Sequence, residues 1–130
     1  MPSAALNIIT ISFLVFIFIS ILISVNLMKY IIFNWKSYLN ISESMNLSKV
    51  VSKLPSTKKY KLISSPNNFY NLTLKSRYPK NIYAAQNVDL HGKGASTGSI
   101  DIQDLVSNKI KFCILGHSEV RSNFGETDLI

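Results

Sequence analysis

Three adjacent polar residues, His117, Ser118 and Glu119, have side chains that could take part in acid–base chemistry. They follow the apolar run 112–115 and a single glycine, Gly116. The run is short and rich in β-branched and aromatic residues, which predicts a strand buried on both faces, as in a parallel sheet. Folds with parallel sheets place their chemistry at the carboxyl ends of such strands. The sequence therefore predicts a functional site at these three residues.

The local structure expected around His117 restricts its protonation. Ser118 can cap a helix that begins there, which would put the positive end of the helix dipole next to the imidazole. A neutral imidazole is then favoured, and it can donate a hydrogen bond to a carbonyl oxygen. The residues alone leave a second interpretation open, which is a core histidine whose hydrogen bonds are satisfied by the backbone.

Three motifs of the chain are similar to those of the triosephosphate isomerase family. Residues 116–119, followed by Arg121, resemble the family's Gly-His-Ser-Glu signature segment. Residues 34–36, Asn-Trp-Lys, resemble the triplet that closes the family's first strand. Residues 86–98 resemble its loop with a Gly-Ala-x-Thr-Gly core. The motifs occur in the family's order, and the resemblance covers residues 28–130.

The resemblance implies a role for each candidate site residue. Asn34 would help to position the substrate, and the Lys36 ammonium would neutralise the phosphate and the developing oxyanion. His117 would be the catalytic residue that stabilises the enediolate oxygen, and Glu119 would support the site. The implied reaction interconverts dihydroxyacetone phosphate and glyceraldehyde 3-phosphate through an enediol. No metal ion and no organic cofactor is implied.

The loop at residues 86–98, called the glycine-rich loop below, implies a second copy of the chain as a partner. In the family this loop reaches across a dimer into the neighbouring site, so the resemblance implies a homodimer with a contact at Thr97. Two positions depart from the family pattern, because Ser99 stands where Glu is usual and Val120 where Arg is usual. The joint change would remove an ion pair without stranding one charge, and it puts the stability of the dimer in question.

The elements that must position these residues alternate between strand and helix, which predicts an α/β fold, and the resemblance implies the first four βα units of a (β/α)8 TIM barrel. The steps between strand starts are reasonable lengths for βα units. Half of a barrel leaves its first and fourth strands as open edges. Strands are predicted over residues 30–33, 60–64 and 82–85 and from residue 111, and helices over 42–54 and 68–78 and after Asp101.

The first predicted helix has a recognisable cap and an apolar stripe. Ser42 is the expected cap, and Leu47, Val50, Val51 and Leu54 recur at spacings of three and four. This pattern predicts that the four apolar side chains lie on one face of the helix.

The chain has 130 residues, whereas a complete (β/α)8 barrel needs about 250. It ends at Ile130, near the expected start of the fourth helix. In the family, the other half carries the catalytic Glu base, the closing lid and most of the phosphate-binding backbone. Two expectations follow. The chain is the amino-terminal half of an isomerase and inactive alone, or it is a non-catalytic, truncated remnant attached to a membrane.

The formal net charge is +7 at pH 7, which favours anionic partners. These could be small substrates, acidic membrane surfaces or nucleic acid. The basic residues are scattered along the sequence, residues 58–61 form the one tight group, and no nucleic-acid motif occurs, so no nucleic acid is expected. Cys113 is the single cysteine, which excludes an internal disulfide and favours a reducing compartment, the cytoplasm.

Residues 1–27 precede the part of the chain that resembles the family. Residues 4–25 are uncharged and almost entirely apolar, and a bilayer-spanning helix needs about 20 such residues. Lys29 and Lys36 follow this segment and nothing basic precedes it, which would leave the remainder in the cytoplasm. Two interpretations stay open, a transmembrane anchor with membrane contact through residues 4–25, or a spurious extension before a natural start at Met28.

Overall fold

A computed structural model describes residues 28–55, 57–89 and 94–128, in which four strands alternate with helices. The strands are β1 (Lys29–Asn34), β2 (Tyr60–Ser65), β3 (Ile82–Ala85) and β4 (Phe112–Cys113). The helices are α1 (Ile41–Val51), α2 (Asn71–Arg77), α3 (Ile102–Ser107) and α4 (Ser118–Phe124), and a 3-10 turn, Asn68–Tyr70, leads into α2. The predicted strand over residues 82–85 is confirmed without a shift.

The strands form one parallel sheet in the order β1-β2-β3-β4. The sheet is curled, as shown by the ring centroids of Tyr30 in β1 and Phe112 in β4, which lie 5.9 Å apart. Three strand spacings in a flat sheet would separate β1 and β4 by about 14 Å. This curl, together with helices that return the chain to each next strand, confirms the predicted partial TIM barrel.

The main core lies between the sheet and helices α1 and α2. Trp35, Leu74 and Tyr83 are buried there, and further side chains pack around them. The Tyr83 hydroxyl donates to Ser48 Oγ over 3.1 Å, which ties β3 to α1. The Asn71 amide donates to the Ala84 carbonyl over 3.2 Å, which ties α2 to the same strand. These contacts hold α1 and α2 against β3.

The predicted apolar stripe of α1 is partly wrong. Ser44, Ser48 and Val51 form the buried face of the helix. Val50 is 56 % exposed and Leu54, which lies beyond the helix, is also exposed. Small serines let α1 approach the sheet closely, and the Tyr83 hydroxyl supplies one of them with a hydrogen bond. Packing therefore depends on side-chain size here, which a count of apolar residues does not capture.

The cap of α1 is Asn40 and not the predicted Ser42. Asn40 Oδ1 accepts from the Glu43 backbone N–H over 3.0 Å, and Glu43 Oε2 accepts from the Asn40 backbone N–H over 2.9 Å. This reciprocal pair is a capping box, and it satisfies two backbone donors at once. It begins the helix at Ile41.

The prediction that 112–115 is a strand buried on both faces is wrong. β4 has only two residues, Phe112 and Cys113, and both are half-buried. Leu115 is 67 % exposed. β4 pairs with β3 on one side, and no strand of the described residues pairs with its other side. The predicted open edges at β1 and β4 are thus confirmed for this part of the chain.

The predicted membrane segment, residues 4–25, lies outside the described residues. Among the residues that the structure describes, no helix is both long and apolar enough to span a bilayer.

Candidate active site

Lys36 follows the carboxyl end of β1 in a constrained backbone conformation. Its φ of 50° lies in the left-handed region, which costs a residue with a Cβ atom about 1–2 kcal/mol. The Lys36 backbone N–H donates to Asn34 Oδ1 over 3.0 Å, and this contact stabilises the turn. The Asn34 side chain thus holds Lys36 in this strained conformation. Strained backbone at functional sites often persists through such contacts with neighbouring residues.

Gln86 connects the carboxyl ends of β1, β2 and β3. Its Nε2 donates to Asn34 Oδ1 over 3.0 Å and to the Ser65 carbonyl over 2.6 Å. Asn34 Oδ1 therefore accepts two hydrogen bonds, and its Nδ2 donates to no partner within the described residues. Gln86 was not among the residues predicted for the site. Its position directly after β3, in a matched motif, was the available signal.

Lys36 and Glu119 join the two outer strands of the sheet. Lys36 Nζ lies 2.6 Å from Glu119 Oε1, although 83 positions separate the residues in sequence. The hydrogen bond to Glu119 raises the pKa of Lys36, and the same bond lowers the pKa of Glu119. Both groups are therefore charged at neutral pH, and the carboxylate holds the ammonium at the carboxyl edge.

His117 caps α4 through its own side chain, so the prediction of Ser118 as the cap is wrong by one residue. His117 Nδ1 accepts from the Glu119 backbone N–H over 3.3 Å. A nitrogen that accepts this bond carries no proton, which leaves the proton of a neutral imidazole on Nε2. Glu119 Oε2 lies 3.5 Å from Nδ1, a contact that becomes an ion pair only with a protonated ring.

These groups line one open cleft of about 420 Å³. Lys36, Gln86, His117 and Glu119 supply its polar wall. Its other lining residues are Ser37, Tyr38, Asn87, Val120, Asn123 and Phe124. The cleft thus combines one cation, one carboxylate, an imidazole and several amide and hydroxyl groups with the apolar surfaces of Tyr38, Val120 and Phe124, and it can accept a small anionic molecule that carries a carbonyl group.

The structure brings together three of the five predicted site residues. Lys36, His117 and Glu119 line the cleft, and Asn34 acts on it through the Lys36 backbone and Gln86. Thr97 is exposed in the glycine-rich loop and does not line the cleft. Within the described residues, no group of three or more His, Cys, Asp or Glu side chains is arranged to hold a metal ion.

Cys113 lies at the end of β4, before the site segment. Burial raises the pKa of its thiol to about 11. The thiol therefore stays protonated at neutral pH, and it packs as a small apolar side chain as expected from the sequence.

Comparison with known proteins yields one family. A family model described as triosephosphate isomerase matches residues 29–130. The chain is similar to proteins named triosephosphate isomerase from Flavobacterium psychrophilum, with 40 % identity over 101 residues, and from Mycoplasma mobile, with 33 % identity over 109 residues. These matches cover 75 % and 78 % of this chain but only 40 % and 45 % of the relatives. The chain spans less than half the length of these relatives.

Proposed function

The chain belongs to the triosephosphate isomerase family, and from that premise we propose that it forms part of an enzyme that interconverts dihydroxyacetone phosphate and glyceraldehyde 3-phosphate. The reaction moves one proton between two neighbouring carbon atoms through an enediol. It needs a cation for the phosphate, a donor for the carbonyl oxygen and a base for the proton. No cofactor is proposed.

One observation carries the proposal. Lys36 after β1 and His117 after β4 line the same cleft, and Glu119 contacts both residues. Lys36 follows β1 and His117 follows β4, which are the two outer strands of the half barrel. The ion pair between Lys36 and Glu119 brings these two outer strand ends together. The combination supplies two of the three groups that the reaction requires.

Lys36 is the proposed binding group for the substrate's negative charge. Its ammonium is a point charge with three donors, of which Glu119 uses one. The remaining donors are the ones proposed to bind the phosphate and the oxygen that becomes negative in the enediolate. Asn34 is proposed to help position the substrate indirectly, because its Oδ1 holds the Lys36 backbone N–H and the Gln86 amide at the cleft.

His117 is the proposed donor to the enediolate oxygen, a role taken from the family's mechanism. Because Nδ1 accepts the Glu119 backbone N–H, the proton of the neutral ring is on Nε2. The remaining Nε2 proton can then stabilise developing charge on the substrate without adding a second full positive charge beside Lys36. Glu119 is the proposed positioning residue, since it holds the Lys36 ammonium and its backbone holds the imidazole.

The base that moves the proton is proposed to come from outside the described cleft residues. Glu119 is the single carboxylate among the described residues that line the cleft, and its oxygen is engaged by Lys36. A carboxylate in that bond is a weak base. The other half of a family barrel, which the chain does not match, is therefore the proposed source.

The proposed setting is a cytoplasmic homodimer. Thr97 is exposed, as a residue at a dimer contact must be in the separate chain. Its assignment to the contact follows the family's loop and the matching Gly-Ala-x-Thr-Gly core at residues 94–98.

An isomerase assay on a completed barrel tests the proposal. Residues 28–130 are joined to the part of the Flavobacterium psychrophilum relative that follows its matched region, and we name this protein the fused barrel. We expect the fused barrel to interconvert the two triose phosphates, and the 130-residue chain to give no turnover above buffer. A folded fused barrel without turnover would favour the non-catalytic alternative.

A further inference from the structure

The edge of the sheet opposite the site collects most of the positive charge of the protein. Four chain segments enter the strands at this amino edge: 28–29, 49–61, 75–82 and 107–112. They carry one, five, three and two Lys or Arg residues, which makes eleven of the chain's 14. None of the seven Asp and Glu residues lies in them. We name the surface formed by these four segments the basic face.

Contacts within the described residues show that the four segments are neighbours. The Lys29 backbone N–H donates to the Lys59 carbonyl over 3.0 Å, which joins the first two segments. Residues Leu54, Lys61 and Lys80 line one depression, which joins the second and third. Lys75 Nζ donates to the Lys109 carbonyl over 2.6 Å, which joins the third and fourth. Lysines that are scattered in sequence therefore form one continuous surface.

The positive charges of the basic face lack acidic partners among the described residues. The salt bridges of the described residues involve Lys36, His117 and Arg121, which all lie at the carboxyl edge and not on the basic face. On the basic face every Lys and Arg is exposed except Lys75, which is half-buried. Burial and the nearby charges of Lys109 and Lys111 lower the pKa of Lys75. Uncompensated charges at this density attract an anionic surface.

Helix dipoles explain only part of this arrangement. Cations are favoured in the last turn of a helix, which accounts for Lys49, Lys75 and Arg77. Residues 58–61, Lys80 and residues 109–111 lie outside the helices. Their charged groups make no salt bridge among the described contacts.

The sequence before β1 identifies the kind of anionic surface. Residues 4–25 contain no charged side chain, and only three residues separate them from Lys29. Lys29 begins β1 at the amino edge, so the described part of the chain begins at the basic face. Apolar sequence next to a cluster of lysines is the combination that binds bilayers with anionic lipids. A nucleic acid would need no apolar neighbour.

We propose that the basic face docks against an anionic phospholipid bilayer, with the cleft at the carboxyl edge turned away from the membrane. The attraction is between lysine ammonium groups and lipid phosphates and carboxylates, with no base or lipid-specific pocket involved. Small substrates in solution then reach the cleft without passing the membrane. This proposal does not depend on the enzymatic activity.

Amine acetylation of the full 130-residue chain tests the proposal. The chain is mixed with vesicles of phosphatidylcholine alone or with about 30 % phosphatidylserine, and acetylation rates at Lys80, Lys111 and Lys36 are measured by mass spectrometry. We expect Lys80 and Lys111 to react about fivefold more slowly on the anionic vesicles than on the neutral ones, and Lys36 to react equally on both. Raising the salt from about 0.1 M to about 0.5 M should remove the difference. Equal rates at all three lysines on both vesicles would overturn the proposal.

Two charge variants separate the basic face from net charge. One carries Lys58→Gln, Lys59→Gln and Lys61→Gln. The matched control carries Ser42→Glu, Asn46→Asp and Gln103→Glu, at exposed positions of α1 and α3. Both change the formal net charge by three, from +7 to +4.

We expect the first variant to lose most of the protection on anionic vesicles and the control to keep it. Equal loss in both would show that only net charge matters, and it would overturn docking through this face. A 20-nucleotide RNA, about 20 phosphates, that protects Lys80 and Lys111 more strongly than the anionic vesicles would replace the membrane with a nucleic acid as the partner.

Discussion

The two edges of the four-stranded sheet carry opposite arrangements of charge. At the carboxyl edge the charged groups are paired, with Lys36 against Glu119 and Arg121 against Asp128. At the amino edge the lysines have no acidic partner within the described residues, and Lys75 contacts a backbone carbonyl instead. Paired charges hold side chains in defined positions, whereas unpaired charges produce a broad positive potential. One edge is thus suited to a small molecule and the other to an extended surface.

Each edge also has one non-glycine residue with a positive φ, and the two conformations have different causes. Lys36 and Lys109 are the two non-glycine residues with positive φ in the described part of the chain, at 50° and 57°. Lys109 follows the last turn of α3, where a left-handed residue commonly ends a helix, and its N–H donates to the Val106 carbonyl. Lys36 follows a strand, where no helix end requires that conformation. The Asn34 side chain holds it instead, which is consistent with a strained residue kept for function.

The largest effect expected from this comparison is on catalysis by the fused barrel. Lys36→Met removes the cation at the cleft and leaves Glu119 unpaired, so we expect kcat/KM to fall about 10³-fold. Lys61→Met makes the same chemical change on the basic face, and we expect kcat/KM to stay the same. Steady-state kinetics with both triose phosphates measures the difference. Similar losses in the two variants would mean that the site draws on overall positive charge and not on the Lys36 position.

A smaller effect is expected on the titration of individual lysines. The bond to Glu119 raises the pKa of Lys36 above 10.5, whereas burial and two neighbouring lysines lower the pKa of Lys75 below it. As pH rises, Lys75 should therefore lose its proton before Lys36 does. NMR titration of the side-chain ammonium signals measures this order. The reverse order would contradict the assignment of paired and unpaired charge to the two edges.

The sign of the pH dependence follows from these shifts. The contribution of Lys36 to folding stability is present below pH 10.5 and is lost as pH rises through its raised pKa. The contribution of Glu119, whose pKa is lowered, is present above pH 4.5 and is lost as pH falls through that pKa. In the Lys36→Met variant, the pKa of Glu119 should return toward its ordinary value.

Local sequence patterns predicted the sheet better than they predicted its packing. The run at 82–85 and the strand before Asn34 were identified because extended apolar segments with polar ends are typical of parallel strands. The burial of Ser44 and Ser48 and the exposure of Leu115 depend on which strand or helix lies opposite, and a pattern of apolar residues does not contain that information. The same limit applies to the basic face, whose lysines come from four separate segments.

The candidate site was predicted in part. Lys36 and His117 stood in motifs, so their residue types and positions indicated a role. The contact between Lys36 and Glu119 joins positions 83 apart, and it depends on the curl of the sheet. The two hydrogen bonds of the Gln86 amide form only where the ends of β1, β2 and β3 meet. The fold brings its acceptors, Asn34 Oδ1 and the Ser65 carbonyl, within reach.

The central claim is that the cleft at the carboxyl edge is an isomerase site in which His117 acts on the substrate. The most direct test measures kcat and KM of the fused barrel with His117→Gln. We predict that kcat falls about 10²- to 10³-fold while KM changes by less than about threefold, because the imidazole acts on charge that develops only in the transition state. Turnover equal to that of the unaltered fused barrel would contradict the claim.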